Sequence, residues 1–160
     1  MNNMHDLLKT LLKQEEELQF DSFNNEDAWQ LGVMLIEKAR ANNFCITIDI
    51  TRNRHQLFHY SFEGTSPDND EWVKRKTNVV YRFGHSSFYI GRLLKYENST
   101  IEDKYSVSPF EYSAHGGSFP VIIKNCGVIG TITVSGLPQA DDHDLVVEVL
   151  KEYLAANERA

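Results

Sequence analysis

Twice along this chain the apolar pattern leaves a helical period for strict alternation, each time in two runs split by a short polar turn. Phe44, Ile46, Ile48 and Ile50 alternate with Cys45, Thr47 and Asp49. The turn Thr51–Arg54 follows, then the run HQLFHYSF. Near the other end, FPVIIKN, Cys126–Gly127 and VIGTITVSG repeat the arrangement. A period of two puts successive side chains on opposite faces of a sheet, and turns this short join only antiparallel neighbours. The stretches between carry helical spacing. The order helix, helix, hairpin, helix, helix, hairpin, helix predicts an α+β fold with one antiparallel sheet of residues 44–50, 55–62, 119–125 and 127–134. Val128, Ile132 and Val134 lie on one face of the second hairpin, and Ile129 on the other beside Thr131 and Thr133. Helices are therefore expected against both faces.

The helical segments can be placed by stripe and cap. Met4, Leu7, Leu8, Leu11 and Leu12 share one stripe, which Glu15, Glu16 and Glu17 are expected to end in water. A second helix follows Asn24–Asn25, buries Ala28, Leu31, Gly32, Leu35, Ile36 and Ala39, and stops at Asn42–Asn43. Asp68, Asn69 or Asp70 should cap the third. A fourth runs from Ser87 to Lys95, residues 97–118 read as a long loop, and the last helix starts near Asp141. The 160 residues make one domain, with an N-terminal helix over 1–18 and a core over about 20–155.

Composition removes several classes of function. Hydrophobic residues at 41% with 24% charged exclude a disordered chain. Sixteen Lys and Arg against 23 Asp and Glu give −7, so nucleic acid is not an expected partner. No apolar run reaches the ~18–20 residues that span a bilayer, and the N-terminus lacks a basic leader region, so no membrane partner is expected. Cys45 and Cys126 sit in different hairpins among apolar residues and read as buried, reduced thiols, which points to a cytoplasmic location.

Few residues can carry chemistry. Trp72, Lys76, Val79, Val80 and Phe83 fall on one helical face, while Lys74 and Arg82 fall on others. An ammonium within an apolar stripe must snorkel, find an anion or lose its proton, so Lys76 is either a structural ion pair or a ligand contact. His115, Gly116 and Gly117 end the long loop at the start of a strand. The glycines allow close backbone approach to a ligand, and the imidazole can serve as acid, base or metal ligand; a tight turn with a hydrogen-bonded histidine explains them equally. Asp141, Asp142, His143 and Asp144 open the last helix, where carboxylates are capping chemistry and His143 could be an oriented base or metal ligand. Ser86–Ser87 precede a helix whose amides could receive an anion, or simply cap it. His55 and His59 share a strand face but stand ~13 Å apart, too far to chelate one ion. There is no Cys-x-x-Cys pair, and no dinucleotide or P-loop glycine pattern.

Three segments, in order, carry a resemblance: WVKRKTNVVYRFGHSS (72–87), HGGSFPV (115–121) and GVIGTITVSGLPQADDHDLV (127–146). Together they resemble the haem-degrading-domain superfamily of HbpS-like and GlcG-like proteins, in its short single-domain branch, over roughly residues 8–155. The resemblance implies a profilin-like antiparallel sheet with helices on both faces (α/β/α layers), a homo-oligomer, and iron or haem as a possible cofactor, since some relatives bind them. No haem-ligand motif of those relatives maps onto this chain.

The expected function is a cytosolic, oligomeric binding protein for a small anion, iron or haem. Its expected ligand-binding residues are Trp72, Lys76, Ser87, His115, Gly116, Gly117 and His143, with His115 and His143 as metal candidates. Lys76→Met should then remove a charge and leave folding nearly intact. The alternatives are an enzyme using His115 or His143 as acid–base on a small anionic substrate, with Lys76 steadying the anion, and an assembly or adaptor protein acting through its N-terminal helices.

Overall fold

In the computed structural model, which describes residues 3–158, α1 (Asn3–Glu17) and α2 (Asn25–Ala41) precede the hairpin of β1 (Thr47–Arg52) and β2 (His55–Ser61). Next come α3 (Pro67–Phe83), α4 (Ser87–Tyr96) and the short α5 (Ile101–Tyr105). The second hairpin, β3 (Ser118–Ile123) and β4 (Gly127–Ser135), leads into α6 (Gln139–Glu158). All neighbouring strands pair antiparallel, in the order β2-β1-β4-β3. The architecture is α+β, as the alternating runs predict. Pro120 sits in β3, an edge strand, where a missing amide hydrogen is tolerated.

Local chemistry explains most boundaries. Asn24 and Asp27 form a reciprocal capping box at α2: the Asp27 amide donates to Asn24 Oδ1 at 3.0 Å and the Asn24 amide to Asp27 Oδ2 at 2.8 Å. At α3 the cap is Ser66, with Pro67 in the first turn and Asn69 Oδ1 accepting from the Ser66 amide at 3.0 Å; the cap expected at 68–70 lies inside the helix. Asn53 and Arg54 both take positive φ, 51° and 65°, forming the two-residue turn that suits the twist of a hairpin. The long 97–118 segment contains α5, started by Thr100, whose Oγ1 accepts from the Asp103 amide. β1 begins at Thr47, not Phe44, and so leaves Cys45 outside the ladder and exposed. Cys126 lies in the β3–β4 turn and is also exposed. Both cysteines are free, but the expectation that they are buried is corrected.

The two faces of the sheet differ. Ile46, Ile48, Ile50, Phe119, Val121, Ile132 and Val134 pack with α2 and α6 through Leu31, Leu35, Val146 and Leu150, in one apolar core. The opposite face presents Thr47, Asp49, Thr51, Ser118, Thr131, Thr133 and Ser135, all buried. β1–β4 register aligns Thr47 with Ser135, Asp49 with Thr133 and Thr51 with Thr131. α3 covers this polar face, contacting β1, β3 and β4. The hydroxyls satisfy one another: Thr51 with Thr131 at 2.7 Å, Ser118 with Thr133 at 2.8 Å, and Thr77 of α3 with Thr133 at 3.3 Å.

α1 is fastened by polar contacts as well as by Leu8 and Leu11. Glu15 is buried: His85 Nδ1 lies 2.7 Å from its Oε1, and the Ser86 amide donates to Oε2 at 3.1 Å. The expectation that Glu15 ends the helix in water is overturned, because the α3–α4 connection supplies partners that outweigh its hydration.

Candidate functional site

Lys76 lies in the middle of α3 and reaches the polar face of the sheet where β4 leaves it. Its ammonium donates to Val134 O and to Asp142 Oδ2, each at 3.1 Å. Asp142 stands in the first turn of α6, and its other oxygen accepts the Leu137 amide at 3.0 Å. Both side chains are buried. Burial pulls Lys76 below its ordinary value, and the attraction of Asp142 offsets only part of that. Burial pushes Asp142 up to about 6, against the pull of Lys76 and of the Leu137 and Gly136 amides. The stripe lysine has therefore found an anion, one of the alternatives its position leaves open.

Of the two glycines after His115, Gly117 makes room for this pair. Gly117 has a φ of 138°, and a Cβ there would stand 2.3 Å from Val134 O and 2.7 Å from Lys76 Nζ. The Gly116 amide donates to Gln139 Oε1 at 3.1 Å, tying the end of the long loop to the start of α6.

Above the pair opens a cavity of about 400 Å³, lined by Asp68, Trp72, Lys76, His115, Gln139 and Asp142 among others. Lys76, His115 and Trp72 thus converge, as expected from the stripe and the loop. The Trp72 and His115 rings meet edge to face with centroids 5.6 Å apart. Partial burial lowers the His115 pKa, and the Lys76 charge lowers it further, against the hydrogen bond from Gln139. His115 is thus a neutral imidazole at pH 7. Lys76 and Asp142 cancel in charge, and Asp68 adds a carboxylate. A second cavity, of about 500 Å³, shares Trp72 and His115 and extends toward α4 and α5.

Two expected site residues are elsewhere. Ser87 is buried, and its Oγ accepts the Ser118 amide at 3.0 Å, joining α4 to β3. The anion at the start of α4 is the chain's own Glu15. His143 packs between Phe88 and Phe119, with centroids 5.0 and 5.9 Å away, and its Nε2 bonds Gln14 Oε1 at 2.8 Å. Burial drives its pKa down to about 4. It does not line the Lys76 cavity, so the structure does not assemble His115 and His143 into one metal site. Among the described residues no group of three His, Cys, Asp or Glu is placed to hold a metal ion. The residue missed from sequence is Asp142. Capping the last helix explains one or two of its three aspartates, and the surplus was the available signal.

Residues 23–151 match the family described as Haem degrading protein HbpS-like. A UPF0303 protein of Edwardsiella ictaluri (strain 93-146) is 48% identical over 151 residues, covering 94% of this chain and 96% of that protein. The crystal structure of Ybr137w protein superposes with a TM-score of 0.84 at 34% identity, over 95% of this chain and 88% of that one. The PduOC:heme complex superposes with a TM-score of 0.69 at 13% identity, over 81% and 94%, which shows a shared fold.

Proposed function

The chain belongs to the HbpS-like haem-degrading protein family, and from that premise we propose that it is a small-ligand binding protein whose site is the cavity over Lys76 and Asp142. One observation carries this reading. A buried ammonium uses two of its three donors on Val134 O and Asp142, while a neutral imidazole opens onto the same cavity. A site of this kind holds a small polar molecule. Lys76 would donate its remaining hydrogen, His115 would donate or accept, and Trp72 would supply an apolar wall. The case for an anion here is weak at neutral pH, because Asp142 already answers the ammonium and Asp68 adds negative charge.

Native mass spectrometry of the protein as purified tests the reading. A bound small molecule is expected on the wild type, and His115→Ala should diminish it. An adduct unchanged in that variant overturns the proposal, and conversion of the adduct on incubation would make the protein an enzyme.

Haem binding is the second reading, favoured by the family and by the PduOC:heme complex. His115 suits iron, being exposed and neutral. The cavity walls suit the macrocycle less, since Trp72 and Leu137 are the only large apolar side chains among the described lining residues. A haemin titration followed by absorption separates the readings: saturable binding lost in His115→Ala favours haem. The homo-oligomer is likewise a proposal, supported by exposed Phe110, Trp29 and Tyr96, and a monomer in sedimentation at micromolar concentration would remove it. No helix among the described residues is long and apolar enough to cross a membrane.

A further inference from the structure

The second cavity differs from the first in charge. Arg75, Arg92 and Lys95 line it against a single carboxylate, Glu102. None of the three cations forms an ion pair among the described residues. Arg75 spends its Nε on the Glu71 carbonyl and lays its guanidinium over Trp72 at 4.3 Å. Arg92 lies over Phe88, and its Nε is shut off from water with no acceptor. The Oγ of Ser113, a buried residue lining the same cavity, is also without a partner. Buried donors are rarely left unsatisfied, because each forfeits its bond to water. Here the two residues that carry them, Arg92 and Ser113, line one cavity together with two further cations, Arg75 and Lys95. The cavity is also fixed in shape, because the Ser113 amide donates to the Arg75 carbonyl at 3.1 Å and so holds the loop to α3.

We propose that this cavity is an oxyanion site, in which side-chain rotation of Arg92 and Ser113 turns Nε and Oγ toward a carboxylate or phosphate group of a small organic ligand, with Arg75 and Lys95 neutralising its charge. Guanidinium groups suit such oxyanions because their planar donors match two oxygens at once. At about 500 Å³ the cavity has space for more than the anionic group, and Trp72 and Tyr112 offer apolar surface for the remainder. The inference does not rest on the proposed role of Lys76, since neither Lys76 nor Asp142 lines this cavity.

The test uses pyrophosphate and citrate as probes, at constant ionic strength, with nitrogen-resolved NMR of arginine side chains. A saturable downfield shift of the Arg92 Nε–H resonance is expected as the orphaned donor gains an acceptor. Pyrophosphate binding without citrate binding would assign the site to phosphates, and the reverse to carboxylates. Arg92→Gln should weaken binding about tenfold or more, as loss of a charge-assisted bond does. Ser113→Ala, which removes only a hydroxyl, should weaken it by a smaller factor and keeps the test open if Arg92→Gln fails to fold. The exposed α1 control Lys9→Gln should bind as the wild type does. Lack of a saturable shift with either probe, or equal affinity in Ser113→Ala and Lys9→Gln, overturns the proposal. Pyrophosphate binding that survives in a Lys76→Met/Asp142→Asn double variant keeps this inference distinct from the function proposed above.

Discussion

The two faces of the sheet are built from the same strands and covered by helices alike, yet they do different work. Toward α2 and α6, Ile48 and Ile50 of β1, with Ile46 just before it, join one apolar core. Toward α3, the intervening residues are Thr47, Asp49 and Thr51, which face Ser135, Thr133 and Thr131 across the ladder. The first face gains stability from area removed from water. The second gains little that way, since its hydroxyls exchange water for one another at small net benefit. In return it holds a charged pair in place beneath a cavity. Stability and site chemistry are thus divided between the odd and even residues of the same strands.

The largest effect that would break this division comes from the charged pair. Lys76→Met leaves the Asp142 carboxylate buried without its cation and should cost about 3–5 kcal/mol at pH 8 in urea unfolding. The buried Lys76–Asp142 pair argues against the expectation that this exchange spares folding. Adding Asp142→Asn should recover most of the loss. The cost should also shrink as pH falls. Asp142 is raised in the folded chain, so the folded state binds its proton more tightly than the unfolded state does, and acid favours the fold as the carboxyl titrates near 6.

On the apolar face, Leu35→Ala removes a fully buried side chain and should cost about 2–5 kcal/mol, with no pH dependence and with the cavity chemistry unchanged. A pH-dependent loss there would blur the contrast between the faces.

His143 sharpens the comparison from outside the site. Its folded pKa of about 4 lies below the ordinary 6.5, so the unfolded chain takes the proton first as pH falls. The stability it contributes is full above 6.5 and drains away between 6.5 and 4, by roughly 3 kcal/mol. Asp142 acts with the opposite sign through much of that window, so the measurement is a difference. His143→Leu should resist acid unfolding better than the wild type between pH 6.5 and 4, and parallel curves would contradict the assignment.

The hairpins were legible in the sequence because period two leaves little choice of face, and the α3 stripe placed Lys76 over the sheet. Its partner was not legible. Asp142 lies 66 positions away in a run of aspartates at a helix start, where capping explains an acid without any distant contact. Glu15 is hidden for the same reason, since a glutamate run at a helix end reads as solvated until the α3–α4 connection, some 70 positions on, supplies His85 and the Ser86 amide. The Ser66 cap could have been read from Ser-Pro-x-Asn, which places proline in the first turn and a polar side chain at the third position. Arg92 and Ser113 carry no sequence signal at all. Their orphaned donors exist only once the loop has folded over α4.

The most direct test of the account is a carbon-detected NMR titration of the Asp142 carboxyl in the wild type, in Lys76→Met and in Leu35→Ala. A buried pair on a polar face predicts a midpoint near 6 in the wild type, a higher one when Lys76 is removed, and no change in Leu35→Ala. A midpoint near the ordinary 3.8, unmoved by Lys76→Met, would contradict it.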